Sequence, residues 1–400
     1  MARKIKSTLK RWKLKNPKKA SKFTLAQVVT ISISVAVISL LMGIGVTYAV
    51  LSKSTNPAIT KFLSEYSKLK DNYYKDIKDE DAMKTALEAI INSLDNYTTV
   101  VDDNLSNSLS TSLQGEYEGF GIQVANDDAK NIVVVGVIKD SPAEKAGFEP
   151  LDMIVSMDGE KTSGLTTSEF ATKVKNSKQS EFSIVVKRDN KEITLKLKRE
   201  KVTLTSVVSN VIERDNKKIG YIYVNLFAYN TDIQFRKELL SLEQKGIDSL
   251  IVDLRYNTGG HLSSVENMMS EFLDKSHVIY QIESKNGTTK HYSNTSNKRS
   301  YKMVVLVNEH SASAAEMFTA TMKEEYGATV VGVTTYGKGT VQEVQDAESI
   351  GEQYKITTKK WLTPKGNWIN EKGIKPDVEV KLTDYEKDNQ LEAAIKVLTK

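Results

Sequence analysis

The alternation of apolar and polar residues divides the chain into four regions with different patterns. Residues 23–52 contain no charged side chain and are largely apolar. Residues 57–95 place apolar side chains at helical spacing and predict packed helices. Residues 115–199 carry short β-type runs broken by Gly, Pro, Asn and Asp, and predict a small strand-rich domain. Beyond residue 200, strand and helix patterns alternate, which is typical of an α/β core.

Within the strand-rich domain, the pattern predicts five strands and two short helices. The strands are residues 121–125, 132–138, 153–157, 182–187 and 192–197, and the helices are residues 142–146 and 168–174. The polar stretch at residues 102–112, just before this domain, predicts a linker.

Within the α/β core, four predicted strands alternate with three predicted helices. The strands are residues 220–227, 249–254, 302–307 and 329–333, and the helices are residues 232–245, 263–273 and 313–326. If strands 302–307 and 329–333 are parallel neighbours, helix 313–326 is the crossover between them. The turns after these strands then share the carboxyl edge of the sheet, where open α/β sheets place active sites.

The uncharged run at residues 23–52 predicts a membrane anchor. As a helix, its most apolar part, residues 28–51, would cover about 36 Å, against about 30 Å of hydrocarbon. Residues 1–22 carry ten Lys or Arg and no acid, so we expect a cytoplasmic tail and an extracytoplasmic working part in a single-pass membrane protein. A signal peptide cleaved after Ala49 is the alternative, although the apolar run exceeds the usual core of about 7 to 15 residues.

Composition and charge exclude several classes of function. The chain has 56 Lys and Arg against 51 Asp and Glu, but the ten basic residues of the tail exceed this surplus. The remainder is acidic, so nucleic acid is not expected as a partner. The chain has no cysteine, which excludes disulfides, thiolate metal sites and a cysteine nucleophile. Neither an H-E-x-x-H motif nor a carboxylate–histidine cluster occurs in the sequence, so neither a metal nor another cofactor is expected.

Ser313 and Lys338 are the candidates for a catalytic pair. Ser313 opens the predicted helix 313–326, where backbone amides are exposed, and a neutral lysine is a competent base for a serine hydroxyl. The helix and the returning strand have similar reach, so the two residues can meet. Burial of Lys338 would favour its neutral form. Gln342 would share its strand face and is placed to hold the lysine nitrogen.

A tetrahedral intermediate would need two hydrogen-bond donors for its oxyanion. The backbone amide of Ala314, together with one from Gly259 or Gly260, is the candidate pair. Ordinary structural explanations also exist, because Ser313 can cap its helix in a Ser-x-x-Glu box and the two glycines can simply form a tight turn. Lys338 can equally be a solvated loop lysine. Ser311 is a rival nucleophile, and the residues alone leave the choice between the two serines open.

A histidine-based triad fits the chain less well. The chain has four histidines, His261, His277, His291 and His310, and no G-x-S-x-G elbow. His261 and His310 flank the proposed site and stay open as direct participants.

Residues Gly119, Phe120, Gly121 and Ile122 form a candidate carboxylate-binding loop. A glycine-containing loop that opens a strand exposes backbone amides that can hold a terminal carboxylate, and the strand edge can take a peptide by β-addition. The alternative is an ordinary turn before a strand.

Four ordered motifs strongly resemble the carboxyl-terminal processing peptidases, also called tail-specific proteases. They are VDLRYNTGGHL (252–262), VLVNEHSASAAE (305–316), VVGVTTYGKGTVQ (330–342) and TPKGNWINEKGIKPDVEV (363–380). The resemblance continues upstream in SLDNYTTVVD (93–102), GEYEGFGIQV (115–124) and DSPAEKAGFEPLDMIVSMDGE (140–160), and the last two motifs look like the PDZ domain of the family.

The resemblance implies a domain order and a set of residue roles. The domains would be a basic cytoplasmic tail (1–22), an anchor (23–52), a helical region (56–112), a PDZ domain (113–200) and an α/β protease core of crotonase-like ββα fold (201–396). The family motif assigns the nucleophile to Ser313 rather than Ser311, the base to Lys338, its support to Gln342, and the oxyanion hole to Gly259, Gly260 and Ala314. The chain departs from the family pattern at Thr258, Ala315 and Leu151 without losing a catalytic group.

The resemblance also implies a function. The chain would be a serine endopeptidase that cleaves extracytoplasmic proteins near their C-termini without a cofactor. Its PDZ domain would bind free, apolar substrate C-termini and gate the protease, and the N-terminal helices are a candidate homodimer contact. A membrane-tethered PDZ binding protein with an inactive protease core is the alternative from another class.

Overall fold

The computed structural model describes eight ranges of the chain. They are residues 33–35, 37–39, 42, 56–101, 113–296, 299–347, 352–383 and 387–400. The predicted basic tail, most of the predicted anchor and the predicted linker 102–112 lie outside the described residues. Among the residues that are described, no helix combines the length and the apolar character needed to cross a membrane. The chain divides into two units, Met1–Ala82 and Met83–Lys400.

The predicted helical region 57–95 is broken into two helices, α1 (Pro57–Asn72) and α2 (Asp79–Asn92). Asn56 caps α1 by accepting the N–H of Ala58 at 3.0 Å, and proline occupies the first helical position. Within the described residues, no residue of α1 is buried. In α2 the buried residue is Ile91.

The strand-rich domain folds around a sheet in the order β3-β4-β5-β7-β8. Its elements are β2 (Glu116–Gly119), β3 (Ile122–Asn126), β4 (Ile132–Val137), α3 (Pro142–Ala146), β5 (Met153–Met157), β6 (Glu160–Lys161), α4 (Thr167–Asn176), β7 (Glu181–Arg188), β8 (Lys191–Lys198) and β9 (Glu200–Thr203). Strand β6 pairs with β5, and β2 pairs with β9 in a separate ribbon. All five predicted strands and both predicted helices are confirmed, with small changes of bounds.

The core of this domain is apolar and lies between the sheet and its helices. Phe120 and Phe182 meet edge to face with ring centroids 4.9 Å apart, and Phe170 of α4 packs in the same cluster. Leu151 adopts a positive φ of 77° and is exposed. This is the position where the family pattern has glycine, and the left-handed backbone explains why glycine suits it.

The α/β core is built on a sheet in the order β10-β11-β12-β15-β16-β19. Its elements are β10 (Val207–Arg214), β11 (Lys217–Val224), α5 (Thr231–Gln244), β12 (Ser249–Asp253), α6 (Leu262–Ser270), β15 (Lys302–Val307), α7 (Ala314–Thr321), a π-helical turn (Met322–Tyr326), β16 (Thr329–Gly332), β19 (Val378–Glu379) and α8 (Asn389–Thr399). Strands β11, β12, β15, β16 and β19 are parallel, so the predicted parallel pairing of β15 with β16 is confirmed.

Both faces of this sheet are covered, which explains the nearly continuous apolar strands. Along β12, Leu250 and Val252 face the cluster formed with α5, α6 and α7, while Ile251 faces the cluster formed with α8. The predicted helix 313–326 is shorter than expected, because its last turn is π-helical.

A second, antiparallel sheet was not predicted. It has the order β1-β18-β13-β14, with β17 paired to β18, and its strands are β1 (Thr99–Val101), β13 (Val278–Ser284), β14 (Gly287–Tyr292), β17 (Thr340–Ala347) and β18 (Glu352–Leu362). The pairing of β1 with β18 brings the segment that follows α2 to the carboxyl side of the main sheet. This segment supplies a residue of the site described next.

Candidate active site

Three loops converge at the carboxyl edge of the main sheet, as the parallel strand order predicted. They follow β12, β15 and β16 and carry Gly259, Ser313 and Lys338 respectively. The loops are tied together, because the Ala312 N–H donates to the Asn257 carbonyl at 2.9 Å and the Tyr336 N–H donates to the Ser311 carbonyl at 3.0 Å.

Ser313 sits in a strained turn at the start of α7. Its backbone has φ 56° and ψ −116°, a region that residues with a side chain rarely adopt. Gly259 lies directly against this turn, since a β-carbon added to it would come within 2.8 Å of Ser313 Cβ and 3.0 Å of Ala314 N. A strained serine between a strand and a helix is the geometry in which the α/β-hydrolases expose a nucleophile.

Ser311, the rival nucleophile, has a fully buried side chain whose hydroxyl is already engaged. Its Oγ donates to the Leu254 carbonyl at 2.8 Å and accepts the Asn308 N–H at 2.9 Å. These bonds join the loop after β15 to the loop after β12. The geometry therefore gives Ser311 a structural role.

Glu316 is a site residue that the sequence indicated only as part of a capping box. Its buried carboxylate accepts four hydrogen bonds, from the N–H groups of Ser313 (2.9 Å), Gly337 (2.6 Å) and Lys338 (2.8 Å) and from the Thr335 hydroxyl (2.6 Å). Burial raises the pKa of Glu316, while these hydrogen bonds oppose that rise. One carboxylate thus joins the start of α7 to the loop that carries the lysine.

Lys338 has a pinned backbone and a half-buried side chain. Its N–H donates to Glu316, and its carbonyl accepts the indole N–H of Trp361 at 2.8 Å. Burial lowers the pKa of Lys338, the positive charge of Lys355 lowers it further, and the carboxylates of Glu316 and Asp95 oppose the shift. Nζ lies 5.0 Å from the ring centroid of Tyr97. Among the described residues it has no hydrogen bond or ion pair, so no bond to the Ser313 hydroxyl is formed in this conformation.

Among the described residues, the predicted hydrogen bond between Gln342 and Lys338 is not formed in this conformation. Gln342 Nε2 donates to Thr340 Oγ1 at 2.8 Å and to Thr357 Oγ1 at 3.1 Å. The prediction assumed regular strand alternation from residue 338. In the structure β17 begins only at Thr340, and its register with β18 shifts between Val341 and Gln342.

Two backbone amides of the predicted oxyanion hole are free to donate. The Gly259 N–H is used, because it donates to Asn257 Oδ1 at 2.8 Å. Within the part of the chain that the structure describes, the N–H groups of Gly260 and Ala314 have no hydrogen-bond partner. The sequence left the choice between Gly259 and Gly260 open, and this geometry favours Gly260.

The four histidine rings each contact another side chain. His310 stacks on Tyr256 with centroids 5.4 Å apart, and His261 meets the edge of Tyr229 at 5.9 Å, with its buried Nε2 unpaired. His277 and His291 contact residues of their own sheet region. In the described ranges no cluster of three or more His, Asp or Glu side chains could hold a metal ion.

The predicted carboxylate-binding loop lines a groove in the β domain. Residues 119–122 border a cavity of about 500 Å³, whose wall includes Phe170 and Val174 of α4. The Phe120 carbonyl accepts the Ala143 N–H at 2.9 Å. Burial raises the pKa of Tyr117, while a hydrogen bond with the Gly121 backbone opposes the rise, so this tyrosine hydroxyl faces an amide of the loop. A substrate carboxylate bound there would meet the same amide.

The strand-rich domain and the α/β core each match the model of a known family. Residues 119–198 match the model of the PDZ domain, and residues 218–380 match that of peptidase family S41. The carboxy-terminal processing proteases CtpB and CtpA of Bacillus subtilis (strain 168) are each 35% identical to this chain; the matches cover 82% and 83% of it, and 69% and 71% of those relatives. The chain belongs to peptidase family S41 and is a serine-type endopeptidase, which confirms the resemblance of its motifs.

Among solved structures, the chain is similar to one named photosystem II D1 C-terminal processing protease. The two are 26% identical, the match covers 80% of this chain and 86% of that chain, and the TM-score is 0.47.

Proposed function

We propose that this protein is a membrane-anchored endopeptidase that uses Ser313 and Lys338 to cut extracytoplasmic proteins near their C-termini. The observation that carries the proposal is the link through Glu316, whose carboxylate joins the backbones of both residues. A serine in a strained helix-start turn and a lysine with a lowered pKa are the two parts that such a dyad needs.

In the proposed reaction, Lys338 in its neutral form accepts the proton of the Ser313 hydroxyl as the oxygen attacks the scissile carbonyl. The free amides of Gly260 and Ala314 would stabilise the oxyanion. The protonated lysine then gives its proton to the leaving amine, and water hydrolyses the acyl-enzyme by the same route. Lys338 Nζ must turn from Tyr97 toward Ser313 for this chemistry, so we interpret the present conformation as a resting state.

The preference for C-terminal regions is inferred from the groove of the PDZ domain and from the printed names of the B. subtilis relatives. The groove combines loop amides with the apolar side chains of Phe170 and Val174, which suits a free carboxylate beside an apolar last residue. The membrane anchor at residues 23–52 and the extracytoplasmic site rest on charge and hydropathy alone.

Cleavage by the purified full chain in detergent tests the proposal. Wild type should cut casein or an unstructured substrate protein, Ser313→Ala should be inactive, and Ser311→Ala is the matched control that should keep activity if it folds. Labelling with a fluorophosphonate, mapped by mass spectrometry, should mark Ser313. An inactive PDZ-bearing scaffold is the competing interpretation, and a wild type that binds C-terminal peptides without cutting or labelling would favour it.

A further inference from the structure

The aromatic ring over Lys338 comes from a segment far from it in the sequence. Tyr97 lies between α2 and β1, and its ring centroid is 5.0 Å from Lys338 Nζ. Because the lysine backbone is held by Glu316 on one side and Trp361 on the other, the position of Nζ depends on what surrounds the side chain.

Tyr97 is itself held firmly in place. Asp95 accepts the N–H groups of Tyr97 at 2.7 Å and Thr98 at 2.8 Å, which fixes the turn before β1. The Thr98 side chain is buried, and its hydroxyl accepts the Thr357 N–H of β18 at 3.1 Å. The antiparallel pairing of Thr99 with Lys355 continues this attachment. The turn is therefore docked on the second sheet.

The phenol of Tyr97 is neutral at physiological pH. Burial and the neighbouring Tyr336 hydroxyl raise the pKa of Tyr97 to about 12. Tyr336 belongs to the loop that carries Lys338, so the phenol lies near one residue of that loop while its ring lies over the side chain of another. An uncharged ring beside Nζ adds no carboxylate that would hold the ammonium form.

We propose that Tyr97 is a positioning residue for the catalytic lysine: its ring covers Lys338 Nζ, keeps water away from it and thereby supports the neutral form needed for catalysis. This inference rests on the proposed function of Lys338 as the base. It assigns a role in the chemistry to the SLDNYTTVVD segment, which contributes no group that reacts.

A ring over a lysine has two opposite effects, and their balance decides the direction of the test. The π face attracts the ammonium, which raises the pKa, whereas exclusion of water lowers it. Among the described residues, the charged groups that act on Nζ are Glu316 from α7 and Asp95 from the docked turn, which raise the lysine pKa, and Lys355 from β18, which lowers it. With its centroid 5.0 Å from Nζ, the ring occupies space that water would fill in its absence, so we expect removal of the ring to raise the lysine pKa.

The experiment compares the pH dependence of kcat/KM for full-length wild type, Tyr97→Phe and Tyr97→Ala. In Tyr97→Ala, the rise of kcat/KM with pH, its ascending limb, should occur about one pH unit higher than in wild type. At pH values below this rise, the shift corresponds to about a tenfold loss of kcat/KM. Phenylalanine keeps the ring and should keep the limb within a few tenths of a unit. Tyr292→Ala, which removes an exposed tyrosine of the same sheet, is the matched control and should leave the limb unchanged.

A second measurement reads the lysine without relying on activity. The rate at which acetic anhydride modifies Lys338, followed by mass spectrometry across pH, gives the midpoint of its titration directly. That midpoint should rise in Tyr97→Ala and stay in Tyr97→Phe. If alanine proves too unstable, Tyr97→Leu, which shortens the cover and removes the π face, should give a smaller upward shift.

An unchanged midpoint of the Lys338 titration in the alanine and leucine variants, with activity lowered equally at all pH values, would mean that Tyr97 contributes only packing and would overturn the inference. A downward shift would mean that the cation–π attraction dominates and that the ring holds the lysine charged, which also overturns the inference. Failure of the proposed function has a different signature: activity that survives Lys338→Met, or a kcat/KM limb that does not follow the Lys338 titration in wild type.

Discussion

Glu316 and Lys338 are joined by a hydrogen bond of 2.8 Å from the lysine N–H to Glu316 Oε2. The same oxygen accepts the Ser313 N–H at 2.9 Å, so a single buried atom links the backbones of the proposed nucleophile and base. The other oxygen accepts the Thr335 hydroxyl and the Gly337 N–H, which fixes the loop leading to the lysine. The relative placement of the two catalytic candidates thus depends on one carboxylate.

We expect Glu316→Gln to lose most activity and some stability. In the wild type, the carboxylate of Glu316 accepts all four hydrogen bonds. The NH₂ group of glutamine cannot accept a hydrogen bond, so at least one buried N–H loses its acceptor at a cost of about 1–3 kcal/mol. This corresponds to a fall in Tm of about 2–4 °C per kcal/mol for a domain of this size. Calorimetry and a cleavage assay test both effects, with the exposed Glu309→Gln as control. Full activity in the Glu316 variant would contradict the positioning role.

Lys338→Arg should be inactive, because arginine cannot be deprotonated in proteins. In wild type, the neutral fraction of Lys338 grows as pH rises, so kcat/KM should climb through a limb that lies below the ordinary lysine pKa of 10.5. Lys355→Gln removes a charge that lowers this pKa and should move the limb upward. A pH–rate profile for the three proteins tests the base assignment, and an active arginine variant would refute the dyad.

The topology prediction concerns the N-terminal segment, most of which lies outside the described residues. Ten basic residues precede the apolar run, so a protease added outside intact cells or spheroplasts should digest the chain beyond residue 53 and spare the N-terminus. Immunoblotting with tags at each end gives the result. A mature chain that begins at Val50 would instead indicate a cleaved signal peptide.

The PDZ groove predicts a dependence on the substrate's free carboxylate. Charge-assisted hydrogen bonds to loop amides are roughly twice as strong as neutral ones, so a peptide ending in an apolar residue should be cleaved faster than its C-terminally amidated twin. Tyr117→Phe removes the hydroxyl that faces the Gly121 amide and should tighten binding of the acid form, measured by fluorescence anisotropy. Equal cleavage of acid and amide by the wild type would remove carboxylate capture from the mechanism.

Leu151→Gly should stabilise the PDZ domain. A left-handed backbone costs a residue with a side chain about 1–2 kcal/mol, and glycine avoids this cost. Glycine also has greater freedom in the unfolded chain, and this offsets about 0.5–1 kcal/mol of the gain in stability. The exposed leucine makes little packing that would be lost. A net gain of about 0.5–1 kcal/mol in urea unfolding is expected from these terms, and Leu165→Gly, at a partly buried position, should destabilise instead.

The sequence by itself determined the elements that depend on local pattern. Apolar runs bounded by turn residues located β12, β15 and β16, and their alternation with helices implied that Ser313 and Lys338 lie at one edge of the sheet. The resemblance to the family motifs added the proposed catalytic roles residue by residue. These features were accessible because each is encoded within about twenty consecutive residues or by the parallel order of neighbouring strands.

Only the tertiary structure decided which groups meet around those two residues. The burial of the Ser311 hydroxyl, the four bonds of Glu316 and the ring of Tyr97 over Lys338 all join segments that lie apart in the sequence. Lys338 lies before β17, which begins at Thr340, and a register shift skips Thr358 of β18, so Gln342 pairs with Thr357 and donates to its hydroxyl. Periodicity describes which side of an element a residue faces, whereas these contacts depend on strand register and loop conformation, which packing of the whole chain sets.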